Sequence, residues 1–425
     1  MKREALEQVV KPEIEVGLMT GGGDKPYAFG LAMALLSKGV RLDFIGSDQL
    51  DSPEFHAAGN LRFLNLRGDQ RQDVSPGTKV KRIVLYYARL IRYAAVARPK
   101  IFHILWNSRF RTFDRTLLML YYKLLGKKVV FTAHNVNDGK RDANDSLLNR
   151  VTLKVQYRLC DHIFVHTEKM KRELLDDFGV REQAVTVIPF GINNAVPRTD
   201  VSSAGARQRL GLSNTDRVIL FFGMIGPYKG LEFLVQAFQS VSRQNTEYRL
   251  LIAGQYKEEC EAYRKTVTKL IDGHVSRDRI VQKIEFVPDE ETELYFKAAD
   301  VLVLPYTYVC QSGVLFLGYS FGLPVIATDV GSLREEVVES RTGFVCKPCD
   351  AADLAGAIQK YFASDLFKEL DSRRCEIRDY AEARNSWNVV GEITRNVYAE
   401  LLGEVRDETV GIDTHSCVQR PGMDR

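Results

Sequence analysis

The sequence contains no long apolar run. A membrane-spanning helix needs roughly 18 consecutive apolar residues, and no stretch of this chain approaches that length. The first seven residues are charged and lack the apolar core of a secretory signal. Both absences favour a cytoplasmic protein over a secreted or membrane-spanning one.

Cysteine is sparse. Seven cysteines are scattered along 425 residues, an odd number that fits a reducing cytoplasm better than a disulfide framework. Cys346 and Cys349 have the spacing of a redox motif. They follow a strand in the C-terminal half instead of opening a helix in the first unit, so we favour a loop position over a redox pair.

Two common ligand signatures are also missing. The first predicted strand, Ile14–Met19, leads into a glycine-rich turn that lacks the G-x-G-x-x-G spacing of a dinucleotide site. No Asp-x-Asp pair is found, and the acidic pairs Asp48/Asp51 and Asp142/Asp145 lie in polar loop sequence. We therefore expect neither a dinucleotide cofactor nor a metal ion.

What is present is a repeated alternation of strands and helices. With 425 residues, 45% of them hydrophobic, the chain is too long for one ordinary core. The alternation on both sides of a small-residue linker predicts an α/β protein with two doubly wound, Rossmann-like domains. The predicted segments are an N-terminal domain (1–195), a C-terminal domain (206–385), an amphipathic helix (386–402) that returns to the first domain, and a polar tail (404–425).

Positive charge is concentrated in the N-terminal half. Residues 1–195 contain 31 basic and 21 acidic side chains, and residues 78–128 contain 13 basic side chains and one acid, Asp114. A helix predicted over Lys79–Ala97 places several basic residues on one face. Five tyrosines are interleaved with the basic residues, as in segments that lie on a membrane surface: Tyr86, Tyr87, Tyr93, Tyr121 and Tyr122. Core helices with a solvated basic surface, docking on an anionic membrane surface, and nucleic-acid binding all remain open. No nucleic-acid-reading motif accompanies the charge, so we expect no nucleic-acid partner.

One strand–loop–helix–strand unit organises the second half. Val301–Leu304 is an apolar strand closed by Pro305, Ser312 is placed to cap a helix through Phe321, and Val325–Thr328 is the next strand. Before this unit, Ile284–Val287 is a further predicted strand of the same sheet, and Asp289 is placed to cap the helix that precedes Asp300. In open parallel sheets, ligands bind at the carboxyl ends of the strands. Free amides of residues 312–314 at a helix N-terminus favour an anion such as a phosphate.

The motifs in this unit resemble the donor-site signature of glycosyltransferase family four. They are Gln311-Ser-Gly-Val and Phe321-Gly-Leu-Pro-Val-Ile-Ala-Thr-Asp-Val-Gly-Ser-Leu-Arg-Glu335. The resemblance implies the GT-B fold, two domains facing each other across a cleft, and a nucleoside-diphosphate-sugar donor used with retention of configuration. The residues that it assigns to donor binding are Gly22, Gly23, Gly223, Lys229, Gln311, Ser312, Gly313, Val314 and Glu335.

The same resemblance implies two catalytic residues. His134 follows the strand Lys128–Thr132 and matches a cleft histidine that contacts the donor sugar, although a lone histidine is usually structural. Lys229 matches a lysine that clamps the donor diphosphate, with an ordinary surface lysine as the alternative. Trp106 and Asn107 follow the preceding strand, and we assign them to the acceptor side.

The chain departs from the family pattern at two places. Met224 stands where an arginine usually clamps the diphosphate, and Gly226 holds the nearby alternative position. Val309 and Leu317 replace two glutamates, of which the second normally holds the ribose hydroxyls. We expect a metal-independent hexosyltransferase that acts on a glycan or lipid-linked glycan, in polysaccharide or lipopolysaccharide synthesis and peripheral on the inner membrane face. The alternative is a catalytically degenerate GT-B subunit that binds a sugar or a partner.

Overall fold

The structure is a computed structural model in which residues 14–22, 25–71, 73–141, 145–192 and 196–403 are described. Two parallel sheets organise these residues. The first has seven strands in the order β3-β2-β1-β4-β5-β6-β7. Its strands are β1 (Glu15–Met19), β2 (Arg41–Gly46), β3 (Leu61–Asn65), β4 (Ile101–Ile104), β5 (Lys128–Thr132), β6 (His162–Val165) and β7 (Val185–Val187).

The second sheet has six parallel strands in the order β10-β9-β8-β11-β12-β13. Most of its strand residues are apolar and buried, as expected for sheets covered by helices on both faces. Its strands are β8 (Arg217–Phe222), β9 (Tyr248–Ala253), β10 (Ile280–Lys283), β11 (Val301–Leu304), β12 (Val325–Thr328) and β13 (Gly343–Cys346). The predicted fold class, α/β with two doubly wound domains of the GT-B type, is confirmed.

Helices connect the strands and cover both sheets. The segment Asp114–Leu118 is a π-helical turn between α4 and α5. None of the described helices is both long enough and apolar enough to cross a bilayer. The α-helices are α1 (Lys25–Ser37), α2 (Pro53–Ala57), α3 (Pro76–Val96), α4 (Arg111–Phe113), α5 (Met119–Leu124), α6 (Asp138–Arg141), α7 (Leu147–Leu159), α8 (Glu168–Phe178), α9 (Ser203–Arg209), α10 (Leu231–Gln244), α11 (Glu261–Asp272), α12 (Asp289–Ala298), α13 (Gly313–Ser320), α14 (Leu333–Glu336), α15 (Ala351–Ala363), α16 (Asp365–Lys368), α17 (Leu370–Asn385) and α18 (Trp387–Leu402).

The chain changes sheet between Val187 and Arg217. Arg198 already donates to the carbonyl of Ser320 (2.7 Å), and Thr199 bonds the carboxylate of Glu293 (2.8 Å). Residues 198–205 therefore belong with the second sheet, although the predicted second domain starts at 206. The small-residue linker was predicted over residues 195–205. Its first residue lies outside the described residues, as does the predicted tail 404–425.

Helix α18 returns to the first sheet, as predicted. The hydroxyl of Ser386 caps it by accepting from the amide of Val389. Trp387 donates its indole N–H to the carbonyl of Ile192 (2.8 Å), and Tyr398 bonds Nδ1 of His103 on β4 (2.5 Å). Helix α18, the last helix of the described residues, is thereby part of the core of the N-terminal domain.

One predicted strand is wrong. Ile284–Val287 was expected in the second sheet, but the strand is Ile280–Lys283, which pairs with β9 from Leu250 onward. The segment Ile284–Val287 lies beyond the sheet, and its Phe286 is 66% exposed and lines the cleft. The segment that forms hydrogen bonds in register with β9 is the strand, and the hydrophobic pattern of the segment alone did not identify that register.

Two smaller expectations also need correction. Asp289 was predicted to cap α12, but Pro288 holds the N-cap position and Asp289 is the first helical residue. Strand β3 and helix α2 were not predicted. The thiol of Cys346 is buried, which raises its pKa to about 12, opposite to the thiolate that a redox pair needs.

Candidate active site in the interdomain cleft

Two adjoining cavities lie between the domains. The smaller cavity has a volume of about 310 Å³ and the larger one about 1060 Å³. Both are lined by loops that follow strands at their carboxyl ends, where open parallel sheets bind ligands. Pro26, Phe286 and Asp289 line both cavities, so molecules bound in the two would touch.

Lys229 lies in the wall of the smaller cavity. It ends a 3-10 turn after β8, and its side chain is 7% exposed. Its Nζ donates to the hydroxyl of Tyr306 (2.5 Å) and lies 3.9 Å from the centre of that ring. The Tyr306 hydroxyl is 3.3 Å from Oγ of Ser312, so the cation is held beside the start of α13.

The first turn of α13 faces the same cavity. Ser312 is the N-cap residue, as predicted, but its hydroxyl makes no capping hydrogen bond to the helix. The first amides of a helix have no carbonyl partner inside it, and the helix dipole adds partial positive charge there. Lys229 and these amides together form a positively charged corner suited to a diphosphate.

Gln311 adds an unsatisfied amide. Both Oε1 and Nε2 are buried, and neither has a hydrogen-bond partner among the described residues. Gln311 lines the smaller cavity. A buried amide without partners costs on the order of 1–3 kcal/mol, and a ligand in the cavity would recover that cost.

The wall around these polar groups is apolar where the family has glutamates. Val309 and Leu317 are both buried, and Leu317 lines the cavity. Gly223, at the end of β8, has a φ of 103°, and an added Cβ would lie 3.3 Å from Val314. Glycine at this position therefore keeps α13 close to the β8 loop.

His134 is stacked flat against Trp106. The ring centroids are 4.2 Å apart and the planes differ by 6°. Tyr27, which lines the smaller cavity, meets the His134 ring edge-on at 4.6 Å. These contacts fix the plane of the imidazole at the carboxyl end of β5.

A neighbouring histidine fixes the tautomer of His134. Nδ1 of His166 lies 3.3 Å from the carbonyl of Ile188, which can only accept, so this nitrogen carries the proton. Nε2 of His166 then accepts from Nδ1 of His134 (3.1 Å). Nε2 of His134 is left as a bare acceptor, and it has no partner in the described part of the chain.

Burial keeps this histidine pair neutral. It lowers the pKa of His134 well below its ordinary value and that of His166 to about 4. A neutral Nε2 acceptor can receive a hydrogen bond from a sugar hydroxyl. It cannot serve as an acid at neutral pH.

The two residues assigned to the acceptor side, Trp106 and Asn107, have different surroundings. Trp106 supports His134, as just described. The side-chain amide of Asn107 is fully engaged with that of Gln156 on α7, through bonds of 3.1 and 3.2 Å, and does not line either cavity.

Two residues assigned to donor binding lie elsewhere, and the placement of a third is not described. Gly22 lines the larger cavity, where its φ of 83° suits glycine, and not the smaller one. Glu335 is exposed on α14 and lines neither cavity. Gly23 lies outside the described residues. The role of each in donor binding stays a prediction.

Sequence reasoning missed Tyr306 and His166. Tyr306 follows Pro305 at the end of β11, and His166 follows β6 as His134 follows β5. Polar residues at the carboxyl ends of neighbouring strands were the available signal. Within the described residues, no three His, Cys, Asp or Glu side chains are grouped to hold a metal ion.

Both halves of the chain match models of known families. A model described as Glycosyltransferase Family 4 matches residues 21–196, and one described as Glycosyl transferases group 1 matches residues 216–364. The chain belongs to glycosyltransferase family four. It is a glycosyltransferase of the GT-B type, as the donor-site motifs indicated.

Curated members of the family resemble it at low identity. A D-inositol 3-phosphate glycosyltransferase from Acidothermus cellulolyticus is 28% identical over 420 residues, 95% of this chain and 92% of that protein. A mannosylfructose-phosphate synthase from Agrobacterium fabrum is 27% identical over 213 residues, 48% of this chain and 46% of that protein.

Solved structures share the fold over 92% of this chain. Sucrose-phosphate synthase from Thermosynechococcus elongatus has a TM-score of 0.72 at 20% identity, with all of that chain covered. Anabaena HepE, solved in complex with UDP and glucose, has a TM-score of 0.70 at 16% identity, again with full coverage.

Proposed function

We propose that this family-four glycosyltransferase moves a hexose-type sugar from a nucleoside-diphosphate sugar to a glycan or lipid-linked glycan acceptor, with retention of configuration. The observation that carries the proposal is the smaller cavity. There a buried lysine, the start of a helix and an unsatisfied glutamine amide converge. Complexes of Anabaena HepE with UDP and with UDP-glucose support a uridine nucleotide as the first donor to test.

The chemistry asked of these groups is electrostatic. When the glycosidic bond to the diphosphate breaks, negative charge grows on the leaving phosphate. Lys229 and the amides of Gly313 and Val314 would stabilise that charge without a metal ion. The acceptor would attack on the same face of the sugar and pass its proton to the leaving phosphate. Domain closure would exclude water and so disfavour hydrolysis.

His134 would position the sugar in this scheme. His134 itself lines neither cavity, but it contacts Tyr27, which lines the smaller one, and its Nε2 is a fixed, neutral acceptor suited to one sugar hydroxyl. Because its pKa lies well below 6.5, the bond it accepts would not change between pH 6 and 8.

The test is a screen of UDP-, GDP- and ADP-sugars for thermal stabilisation, followed by turnover assays of the purified chain with and without a chelator. A ligand that binds only the folded state raises the melting temperature. We expect one nucleotide-sugar class to stabilise the protein and its turnover to survive chelation. Binding without turnover under any acceptor would favour the catalytically degenerate sugar-binding subunit.

We also propose that residues 78–128 dock the protein on an anionic membrane surface. The exposed face of α3 carries aliphatic as well as basic side chains. Helix α5, which contacts α3, and helix α7, which packs against α5, carry further exposed aliphatic residues. Tyr121 links α5 to α3 by donating to the carbonyl of Ile91 (3.2 Å). The exposed aliphatic residues are Val80, Val84, Leu85, Ile91, Val96, Leu117, Leu120, Leu124, Leu147, Leu148 and Val151.

The tyrosines of this region do not take part in the docking surface. Tyr86, Tyr87, Tyr93 and Tyr122 are buried in the core, so they are not the interfacial aromatics that their spacing indicated. Asp114, the one acid of the segment, is buried and accepts from the Tyr87 hydroxyl (2.8 Å). The outer surface is therefore basic and aliphatic, a combination that suits an anionic bilayer.

Liposome flotation tests this docking. Changing Lys81, Arg89 and Arg92 to Glu should abolish flotation with anionic vesicles, because each basic residue near the headgroups contributes about 1 kcal/mol. Leu120→Ser with Leu124→Ser should weaken it as well, by removing aliphatic insertion. Wild-type protein should float less at high salt and not at all with neutral vesicles.

The matched control changes Lys265, Lys269 and Lys347 to Glu, three exposed lysines in the other half of the chain. It alters net charge equally and should leave flotation intact. If the wild-type chain ignores anionic vesicles at low salt, or self-associates through this surface, membrane docking is wrong.

A further inference from the structure

The larger cavity is strongly basic on its N-terminal side. Six basic side chains from the first domain line it, against the single carboxylate of Asp69 from that domain. Asp289 and Glu290 of the opposite domain complete the charged lining. The basic side chains are Lys25, Arg67, Arg71, Lys79, Arg82 and Arg109.

Two of these cations share one carboxylate. Asp69 accepts from Arg71 (2.9 Å) and from Arg82 (2.8 Å), and these bonds keep its pKa below the ordinary value. Within the described residues no carboxylate lies within ion-pair distance of the other four, which are Lys25, Arg67, Lys79 and Arg109. Among the described lining residues, six cations therefore face three carboxylates, those of Asp69, Asp289 and Glu290, and the cavity keeps an excess of positive charge.

Arg67 is the most enclosed of the four. Its guanidinium lies 5.3 Å from the centre of the Tyr86 ring, and Nη2 makes one long bond to Gln70 (3.5 Å). Nη1 is buried and has no hydrogen-bond partner among the described residues. The turn at Gly22 packs on it so closely that an added Cβ would lie 2.2 Å from Nη1. An enclosed guanidinium with unused donors is costly unless a ligand supplies oxygen acceptors.

The position of this charge assigns it to the acceptor and not to the donor. The donor diphosphate has its own proposed site at Lys229 and α13, in the smaller cavity. The two cavities share Pro26, Phe286 and Asp289, so a molecule at Arg67 would extend towards the donor sugar.

We propose that the acceptor carries a phosphate group, and that Arg67 binds this group with help from Lys79 and Arg109. Guanidinium groups bind phosphate through paired hydrogen bonds, and the neighbouring cations suit its full charge. The proposal rests on the proposed function for the identity of the second substrate. A sugar phosphate and a lipid-linked phosphate present the same group, and the experiment separates them.

The first arm measures binding of inorganic phosphate to the full chain by calorimetry, at constant ionic strength. Arg67→Gln should weaken phosphate binding about 10- to 100-fold, as expected for a lost charge-assisted bond, and Arg67→Lys should weaken it less. Lys79→Gln combined with Arg109→Gln alters only exposed side chains and guards against misfolding of the Arg67 variants. This double variant should weaken phosphate binding several-fold. Arg158→Gln, exposed on α7 and outside both cavities, should bind phosphate like the wild type.

The second arm identifies the source of the phosphate. Hexose 6-phosphate is compared with the same hexose, and a polyprenyl phosphate in micelles with the polyprenol, each in the presence of UDP-glucose. If the protein binds one phosphorylated compound more tightly than its unphosphorylated counterpart, and Arg67→Gln loses this preference, that compound identifies the class of acceptor.

UDP-glucose titrations separate the two proposals. If wild-type protein binds UDP-glucose but phosphate binding is undetectable, or is equal in wild type and Arg67→Gln, the phosphate site is refuted alone. If no nucleotide sugar binds while phosphate binding depends on Arg67, the proposed transfer reaction fails and the anion site stands.

Discussion

At the residue scale, the two proposed catalytic side chains are each fixed by a neighbour that is distant in sequence. Tyr306 accepts from Lys229, and His166 accepts from His134. In both cases the partner removes freedom from the functional group: the lysine is held beside α13, and the imidazole is held in one tautomer. Such support reduces the cost of ordering the site when substrate binds.

Lys229→Met should weaken donor binding about 10- to 100-fold, or about 1.5–3 kcal/mol, because it removes the cation that faces the diphosphate but keeps most of the stem. Tyr306→Phe should weaken donor binding less, because Lys229 keeps its contact with the ring, whose centre lies 3.9 Å from Nζ. Calorimetric titration with UDP-glucose measures both. Lys265→Met, an exposed lysine on α11, is the matched control. Wild-type affinity in Lys229→Met would remove this lysine from the donor site.

At the element scale, α18 ties the end of the chain to the first domain through close backbone contacts. Trp387 fits against Gly30 and Gly191, where an added Cβ would come within 2.1 and 2.4 Å of the indole. Gly391 brings α18 against α1, with an added Cβ 2.9 Å from that of Ala34 and 3.1 Å from its backbone. Small residues at these positions set how closely the two helices approach.

Gly391→Ala should therefore lower the melting temperature, because overpacking of about 1–3 kcal/mol exceeds the gain in helix propensity. Gly356→Ala is the matched control within α15. There an added Cβ meets nothing within 4 Å, so only the propensity gain of about 0.5–1 kcal/mol applies. Thermal unfolding of the two variants checks this contrast, and equal shifts of the same sign would contradict it.

At the scale of the whole molecule, buried histidines make stability depend on pH. Burial lowers the pKa of His103 to about 3 and those of His162 and His166 to about 4, and lowers that of His134 well below 6.5. The unfolded chain takes up these protons near pH 6.5, whereas the folded chain stays neutral. Acidification below 6.5 therefore favours unfolding.

Four carboxyls act in the opposite direction, and burial raises the pKa of two of them, Asp289 and Asp300, above the ordinary value. Burial raises the pKa of Asp114 to about 6 and that of Glu336 to about 7, so the folded chain takes up protons at these sites before the unfolded chain does. Between pH 4.5 and 6, these four histidines and His274, whose pKa burial also lowers, oppose four carboxyls, and we expect unfolding to take up about one net proton.

Stability should consequently fall from pH 6 to 4.5, by about 1.4 kcal/mol per pH unit for each net proton. Denaturant melts at several pH values measure the slope, and His162→Gln should reduce it by about one proton. A stability that is constant or rises on acidification in this window would show that the histidines do not dominate.

Short-range sequence pattern determined the strands, the loops at their carboxyl ends and the candidates on those loops. Apolar runs closed by proline or glycine define buried strands locally, which is why Val301–Leu304, Lys128–Thr132 and the start of α13 at Ser312 were predictable. The motif around Gln311 indicated the family, because its residues are consecutive in one short loop and the first turn of α13.

Only the tertiary structure decided which of these groups meet. The contact of Lys229 with Tyr306 spans 77 residues, and that of His134 with His166 spans 32. Ile280–Lys283 is a strand because its backbone pairs in register with β9. Arg67 faces the cleft because it follows β3, which ends beside Gly22 and which the sequence pattern did not predict. Long-range contacts depend on strand order and on the approach of two domains, and neither is written in the local alternation of apolar and polar residues.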